Sequence, residues 1–334
     1  MVKTHASSRY NWMEESRNPN HRPTLSDFKE ASKRLKEVIL RTPLIPLRRY
    51  REENTGILLK PETLQPIGSY KIRGVYNWVA RLTPEERARG IATLSSGNMA
   101  QAVGYVANLF SIPSRVVIFD TAPISKIEAC KRYGSEIELV RFSDETFSNA
   151  DALARGHCFI HTLKEYGLMD GHGTIGLEIM EDEPNVDTIF VPLGACFLAC
   201  GISLAVKAIK HSVKVVGVNA ENCPHFYDSL RNGKPTPSNY KPTLADGIAA
   251  DFTPSEGAFR LVKETLDEVV IVSEAEIAKA IRLLALENKL VAEGAGAISL
   301  AAALAVPKEK RGRSVCVISG GSIDAEKLRH LLEH

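Results

Sequence analysis

The sequence predicts an α/β protein, and two observations carry that prediction. Short apolar, β-branched runs recur: "ILLK", "GIATLSS", "SRVVIFD", "EIELVRF", "CFIHTL", "TIFVPL", "VKVVGVN", "EVVIVS" and "SVCVIS". Between most of them lie amphipathic segments such as "NMAQAVGYVANLF" and "EAEIAKAIRLLALENK". Continuous apolar strands alternating with helices imply open, mainly parallel sheets covered by helices on both faces.

The elements follow in order. The opening "MVKTHASSRYNWMEESRNPNHRP" is polar and lacks the apolar core of a secretory signal, so a loose arm or an interface strap is expected. "SDFKEASKRLKEVILRTPL" reads as a helix with an N-cap serine that stops before a proline. The strands then run into "PETLQPIGSYKIRG", "SSGNMAQ", "PLGACFLACG", "NAENCPHF" and "SGGSID". In open sheets, ligands gather at the carboxyl ends of strands. Several of these turns set Gly, Ser and Asn just ahead of a helix, which suits a polar, phosphorylated small molecule.

Composition narrows the function. The chain has 334 residues, 44% hydrophobic and 25% charged, with a net charge of +2, enough for one large domain or two modest ones. No block of like charge suggests nucleic acid or an anionic membrane surface. No apolar run reaches the roughly 20 residues that span a bilayer. Cys130, Cys158, Cys196, Cys200, Cys223 and Cys316 form no Cys-x-x-Cys pair, so buried thiols in a reducing cytoplasm are expected. His157 and His161 in "HCFIH" have no carboxylate nearby in sequence, and no metal is expected there.

Lys71 in "GSYKIRG" opens a helical pattern between Tyr70 and Ile72. Such apolar flanks favour the neutral, nucleophilic amine that Schiff-base chemistry requires. The alternative is a surface lysine that merely follows a Gly-Ser turn.

"GSYKIRG", "SSGN", "DGHGTIGLEI", the turn after "VPLG", "TLADGIA", "EGAGA" and "VISGGSID" occur in this order. Through them the chain, from about Arg41 to Asp324, resembles the serine/threonine dehydratase and serine racemase family. These are pyridoxal-phosphate enzymes of the second fold type, akin to the tryptophan synthase β chain. The resemblance implies a large cofactor-binding domain of residues 1–89 and 166–334 and a small domain of residues 90–165. Lys71 matches the lysine that carries the cofactor and then acts as base at the substrate Cα. Tyr70 matches an aromatic residue packed beside the cofactor, and Asn98 a side chain on its phenolic oxygen. Ser319 matches the hydroxyl facing the pyridine nitrogen. A neutral partner makes the ring a weaker electron sink than a carboxylate would, which favours β-elimination. Gly194, Ala195, Cys196, Phe197 and Leu198 match the phosphate cradle. Ser95, Ser96, Met99 and Gln101 match the loop that receives the substrate. Ser96 also matches the racemases' second catalytic hydroxyl, although Ser96 or Asn98 could equally serve as a helix N-cap.

The implied activity is an ammonia-lyase that turns a β-hydroxy-α-amino acid into a 2-oxo acid and ammonia. The alternatives are a racemase, a β-elimination or β-replacement enzyme, or a silent binding subunit. A cytoplasmic homodimer is the implied assembly. Because the chain stops soon after "SGGSID", feedback control by isoleucine is not expected.

Three departures stand out. Met99 replaces the usual histidine and makes the substrate mouth less polar. Asn219 and His225 occupy positions of the family's cation site, with Glu221 nearby, and no metal is expected. The usual run of glycines is here Gly194, Ala195, Cys196 and Phe197, where each non-glycine residue needing positive φ would cost about 1–2 kcal/mol.

Overall fold

Every residue of "IATL", "TIFVP" and "SVCVI" is buried, as strands covered on both faces require. The structure, a computed structural model, describes residues 16–49, 55–120, 122, 124–141, 153–249 and 252–333. Among these the strands are β1 (Ile45–Pro46), β2 (Ile57–Pro61), β3 (Ile91–Leu94), β4 (Ser114–Phe119), β5 (Glu136–Val140), β6 (Cys158–Phe159), β7 (Thr188–Pro192), β8 (Lys214–Ala220), β9 (Glu268–Val272) and β10 (Ser314–Ile318). All the apolar runs read from the sequence are strands, and only the two-residue β1, too short to show a period, was missed.

A six-stranded sheet has the order β1-β2-β10-β7-β8-β9 and is parallel except for β1. A four-stranded, wholly parallel sheet has the order β5-β4-β3-β6. The chain is thus an α/β protein with two mainly parallel sheets. Helix Gly294–Ala305, rich in alanine, is buried along most of its length. A Cβ on Gly296 would strike the Gly320 carbonyl, so glycine lets this helix approach the turn after β10. No helix among the described residues is long and apolar enough to cross a membrane. All six cysteines are buried and none forms a disulfide.

Two local expectations change. Helix Leu25–Leu35 is capped by Thr24, not by a serine, because Thr24 and Asp27 form a reciprocal capping box. The N-terminal arm is pinned from Ser16 onward, its first 15 residues lying outside the described ones. Arg17 donates to the Phe159 carbonyl at 2.8 Å, and His21 meets the buried Asp170 at 2.7 Å. Asp170 also takes Arg81 at 2.6 Å.

Candidate active site

The turns after β2, β3, β7 and β10 converge on one cavity of about 770 Å³. It is lined by Tyr70, Lys71, Ser95, Ser96, Asn98, Met99, Gln101, Gly194, Ala195, Cys196, Phe197, Leu198 and Ser319. Every site residue read from the sequence therefore reaches the same space.

Lys71 is the first residue of helix Lys71–Ala80. Its turn is stitched to the turn after β10, since Tyr70 N–H donates to the Ser319 carbonyl at 3.0 Å and Gly321 N–H to that of Gly68 at 3.0 Å. Lys71 Nζ lies 4.9 Å from the centre of the Tyr70 ring. Tyr70 also meets the buried His172 at 4.8 Å, edge to face. Burial, together with the positive Lys71 and Arg73, holds His172 neutral, well below its ordinary range.

Beneath this helix lies a buried ionic floor. Arg73 donates to both oxygens of Glu62 at 2.7 and 2.8 Å and to both oxygens of Glu178 at 2.7 and 3.0 Å. Its remaining N–H reaches Thr174 at 3.1 Å. Lys60 completes the balance, 2.6 Å from Glu178. Burial works against the Glu178 carboxylate, but Arg73 and Lys60 outweigh it and hold the group below its ordinary range. Sequence reading missed this floor because its members are joined only by the fold.

Helix Asn98–Phe110 begins at Gly97 with no side-chain cap, so neither Ser96 nor Asn98 is an N-cap. Ser95 Oγ instead accepts the Gly97 N–H at 3.2 Å. Asn98 donates to Glu293 at 2.7 Å and accepts from Ser322 at 2.6 Å. Glu293 and Ser322 also line the cavity and were not singled out from the sequence. Ser319 Oγ donates to the Ala295 carbonyl at 3.3 Å.

The loop after β7 enters helix Phe197–Lys207, whose N-terminus has no side-chain cap. Of Ala195, Cys196 and Phe197, only Cys196 has positive φ, at 66°. The strain is thus confined to one residue. The Phe197 ring packs on Tyr166, with centroids 5.0 Å apart, and Cys196 and Leu198 belong to the same core. Cys196 and Phe197, which replace glycine, are thus packed in the core while still edging the cavity, and the Phe197 N–H donates to the Ala195 carbonyl at 3.0 Å. Met99, 2% exposed, is mostly core as well.

The remaining sequence candidates lie elsewhere. Asn219 donates to the Leu193 carbonyl, and Glu221 accepts the Glu274 N–H. His157 meets the Ala154 carbonyl, and His161 accepts the Leu163 N–H. No group of three or more metal-binding side chains occurs among the described residues.

Comparison with known proteins agrees with this geometry. A family model for pyridoxal-phosphate dependent enzymes matches residues 35–321. The L-threonine ammonia-lyase of Thermotoga maritima is 44% identical over 313 residues, 92% of this chain and 78% of that one. The catabolic L-threonine dehydratase TdcB of Staphylococcus aureus is 36% identical over 323 residues, covering 94% and 93%. Among solved structures, maize serine racemase superposes with a TM-score of 0.84 at 29% identity, covering 94% and 98%. The threonine deaminase isoform 2 of Solanum lycopersicum, in its processed form, does so with a TM-score of 0.83 at 27% identity, covering 92% of both chains. By the span of the family model and the identity of these relatives, the chain belongs to the pyridoxal-phosphate-dependent enzymes.

Proposed function

We propose that this protein is a pyridoxal-phosphate-dependent ammonia-lyase of the threonine dehydratase type, acting on threonine or a similar β-hydroxy-α-amino acid. The observation that carries the reading is the convergence of Lys71, Asn98, Ser319 and the uncapped start of helix Phe197–Lys207 on one cavity. Such a helix start attracts an anion through its outward N–H groups, and the lysine amine stands in the same space. These residues fit pyridoxal phosphate.

When bound, the cofactor supplies an electron sink that acidifies the substrate Cα–H. In this reading Lys71 holds the cofactor and then takes the Cα proton on Nζ. The Gly194–Leu198 turn grips the phosphate through its backbone. Asn98, oriented by Glu293 and Ser322, and Ser319, a neutral hydroxyl, orient the ring. Ser95, Ser96 and Gln101 receive the substrate carboxylate. The substrate loses water, and the released enamine takes one up to give the 2-oxo acid and ammonia.

A second reading, racemisation, is favoured by the Ser96 hydroxyl in the same cavity. Purified protein incubated with single enantiomers of serine, threonine and 3-hydroxyaspartate separates the two. A coupled oxo-acid assay reports elimination, and chiral analysis reports racemisation. Oxo acid from L-threonine is expected, and neither product from any of the three would overturn the proposal. Ser96→Ala should reduce racemisation more than elimination.

We also propose the domain division of residues 1–89 with 166–334 and of residues 90–165. The strands of the four-stranded sheet all fall in the second segment. Buried cysteines that form no disulfide support a reducing compartment such as the cytoplasm. Mass in solution by light scattering tests the expected homodimer.

A further inference from the structure

The loop after β7 has fewer glycines than a phosphate cradle favours, yet its backbone is held from behind. Asn219, fully buried on β8, donates to the Leu193 carbonyl at 2.7 Å and accepts the Tyr227 N–H at 3.1 Å. His225, also fully buried, places Nε2 3.3 Å from the Gly194 carbonyl. Two successive carbonyls of the loop are thus each engaged by a buried side chain. Neither Asn219 nor His225 lines the cavity, whereas Gly194 and Ala195 do.

Peptide planarity turns these contacts into an orientation. The described chain has no cis peptide bond, so the C=O and N–H of each unit point in opposite directions. Holding the Leu193 carbonyl aims the Gly194 N–H away from Asn219, and holding the Gly194 carbonyl aims the Ala195 N–H away from His225. Gly194 and Ala195 themselves line the cavity.

The protonation pattern is consistent. A carbonyl only accepts, so Nε2 of His225 carries the proton in this contact. Burial pushes His225 down to about 4, against the backbone bonds of Gly194 and Cys223, which keeps the ring neutral. Cys223 Sγ lies 3.3 Å from Nδ1, where a thiol can donate. Phe252, which lines the cavity, packs on the same imidazole with ring centroids 4.5 Å apart.

We infer that His225, seated by Cys223 and aided by Asn219, is a positioning residue that locks the Gly194–Ala195 peptide with its N–H toward the cofactor phosphate. The inference rests on reading this loop as the phosphate cradle. Without the imidazole the peptide can flip and present a carbonyl oxygen to the anion.

The test compares pyridoxal phosphate with pyridoxal, which lacks the phosphate, in binding to full-length protein stripped of cofactor. His225→Leu removes the donor, and His225→Gln restores one near the Nε2 position. Loss of a buried hydrogen bond that sets an anion contact should weaken pyridoxal phosphate about tenfold to a hundredfold in His225→Leu. Pyridoxal should bind as before, and His225→Gln should recover most of the loss. The phosphorus resonance of the bound cofactor should shift in His225→Leu and return in His225→Gln. Equal weakening of both ligands, or no change in either, overturns the inference. If His225→Leu does not fold, Cys223→Ala decides, since a phosphate-specific loss supports the relay and unchanged affinity overturns it. A wild-type protein that binds pyridoxal phosphate no more tightly than pyridoxal would instead remove the cradle reading itself.

Discussion

Replacing Arg73 with methionine tests whether the buried ionic floor supports the lysine turn. Arg73 is fully buried, as are Lys60 and Glu62, while Glu178 is 6% exposed. The four side chains balance, two cations against two carboxylates. All five N–H donors of Arg73 are engaged, on Glu62, Glu178 and Thr174. Arg73→Met leaves two buried carboxylates facing Lys60 alone. Breaking a buried pair in this way costs about 3–5 kcal/mol, a large share of the 5–15 kcal/mol typical of a whole protein. Removing Glu178 as well, in Arg73→Met/Glu178→Met, restores neutrality with Lys60 and Glu62. The double variant should therefore be more stable than Arg73→Met alone. Urea unfolding followed by the fluorescence of the fully buried Trp78 measures both. A loss below about 1 kcal/mol for Arg73→Met, or a double variant as unstable as the sum of the single changes, would refute the reasoning.

Other outcomes follow from single positions. At Cys196, with φ at 66°, glycine should be more stable than alanine by about 1 kcal/mol in paired unfolding measurements, although both lose the same sulfur. Alanine equal to glycine there would mean that the left-handed backbone carries no strain. Gly74→Ala would drive a Cβ into the His172 ring, which is buried against Tyr70, and should cost about 1–3 kcal/mol. His225 falls from an ordinary 6.5 to about 4 on folding, so its contribution is present above pH 6.5 and is lost as pH falls toward 4. In full the difference is worth about 3 kcal/mol. Stability measured from pH 7 to 5 should decline less in His225→Gln than in the wild type, while an unchanged slope would contradict the assigned neutral ring.

The sheets were legible because strands buried on both faces leave uninterrupted apolar runs, as in "TIFVP" and "SVCVI". The location of the site was legible too, because ligands collect where such strands end. Geometry across sequence distance was not. Asn98 and Glu293 stand 195 residues apart, and His225 and Gly194 stand 31 apart. Neither pair leaves a local pattern. The glycine-poor loop was read as a departure because sequence shows how many glycines are missing but not which residues need positive φ. Only Cys196 does, and its neighbours send their side chains into the core. Ser96 and Asn98 resembled helix caps by composition, yet the N-cap is Gly97, and Asn98 is bonded to Glu293 and Ser322.

The central claim is that Lys71 carries pyridoxal phosphate in the cavity. Reducing the purified, cofactor-loaded protein with borohydride fixes the cofactor to whichever amine holds it, and peptide mass spectrometry then locates the label. The account predicts one labelled peptide, with the added mass on Lys71, and no visible cofactor absorption in Lys71→Ala. A label on another lysine of the same cavity, such as Lys327, or no label at all, would contradict it.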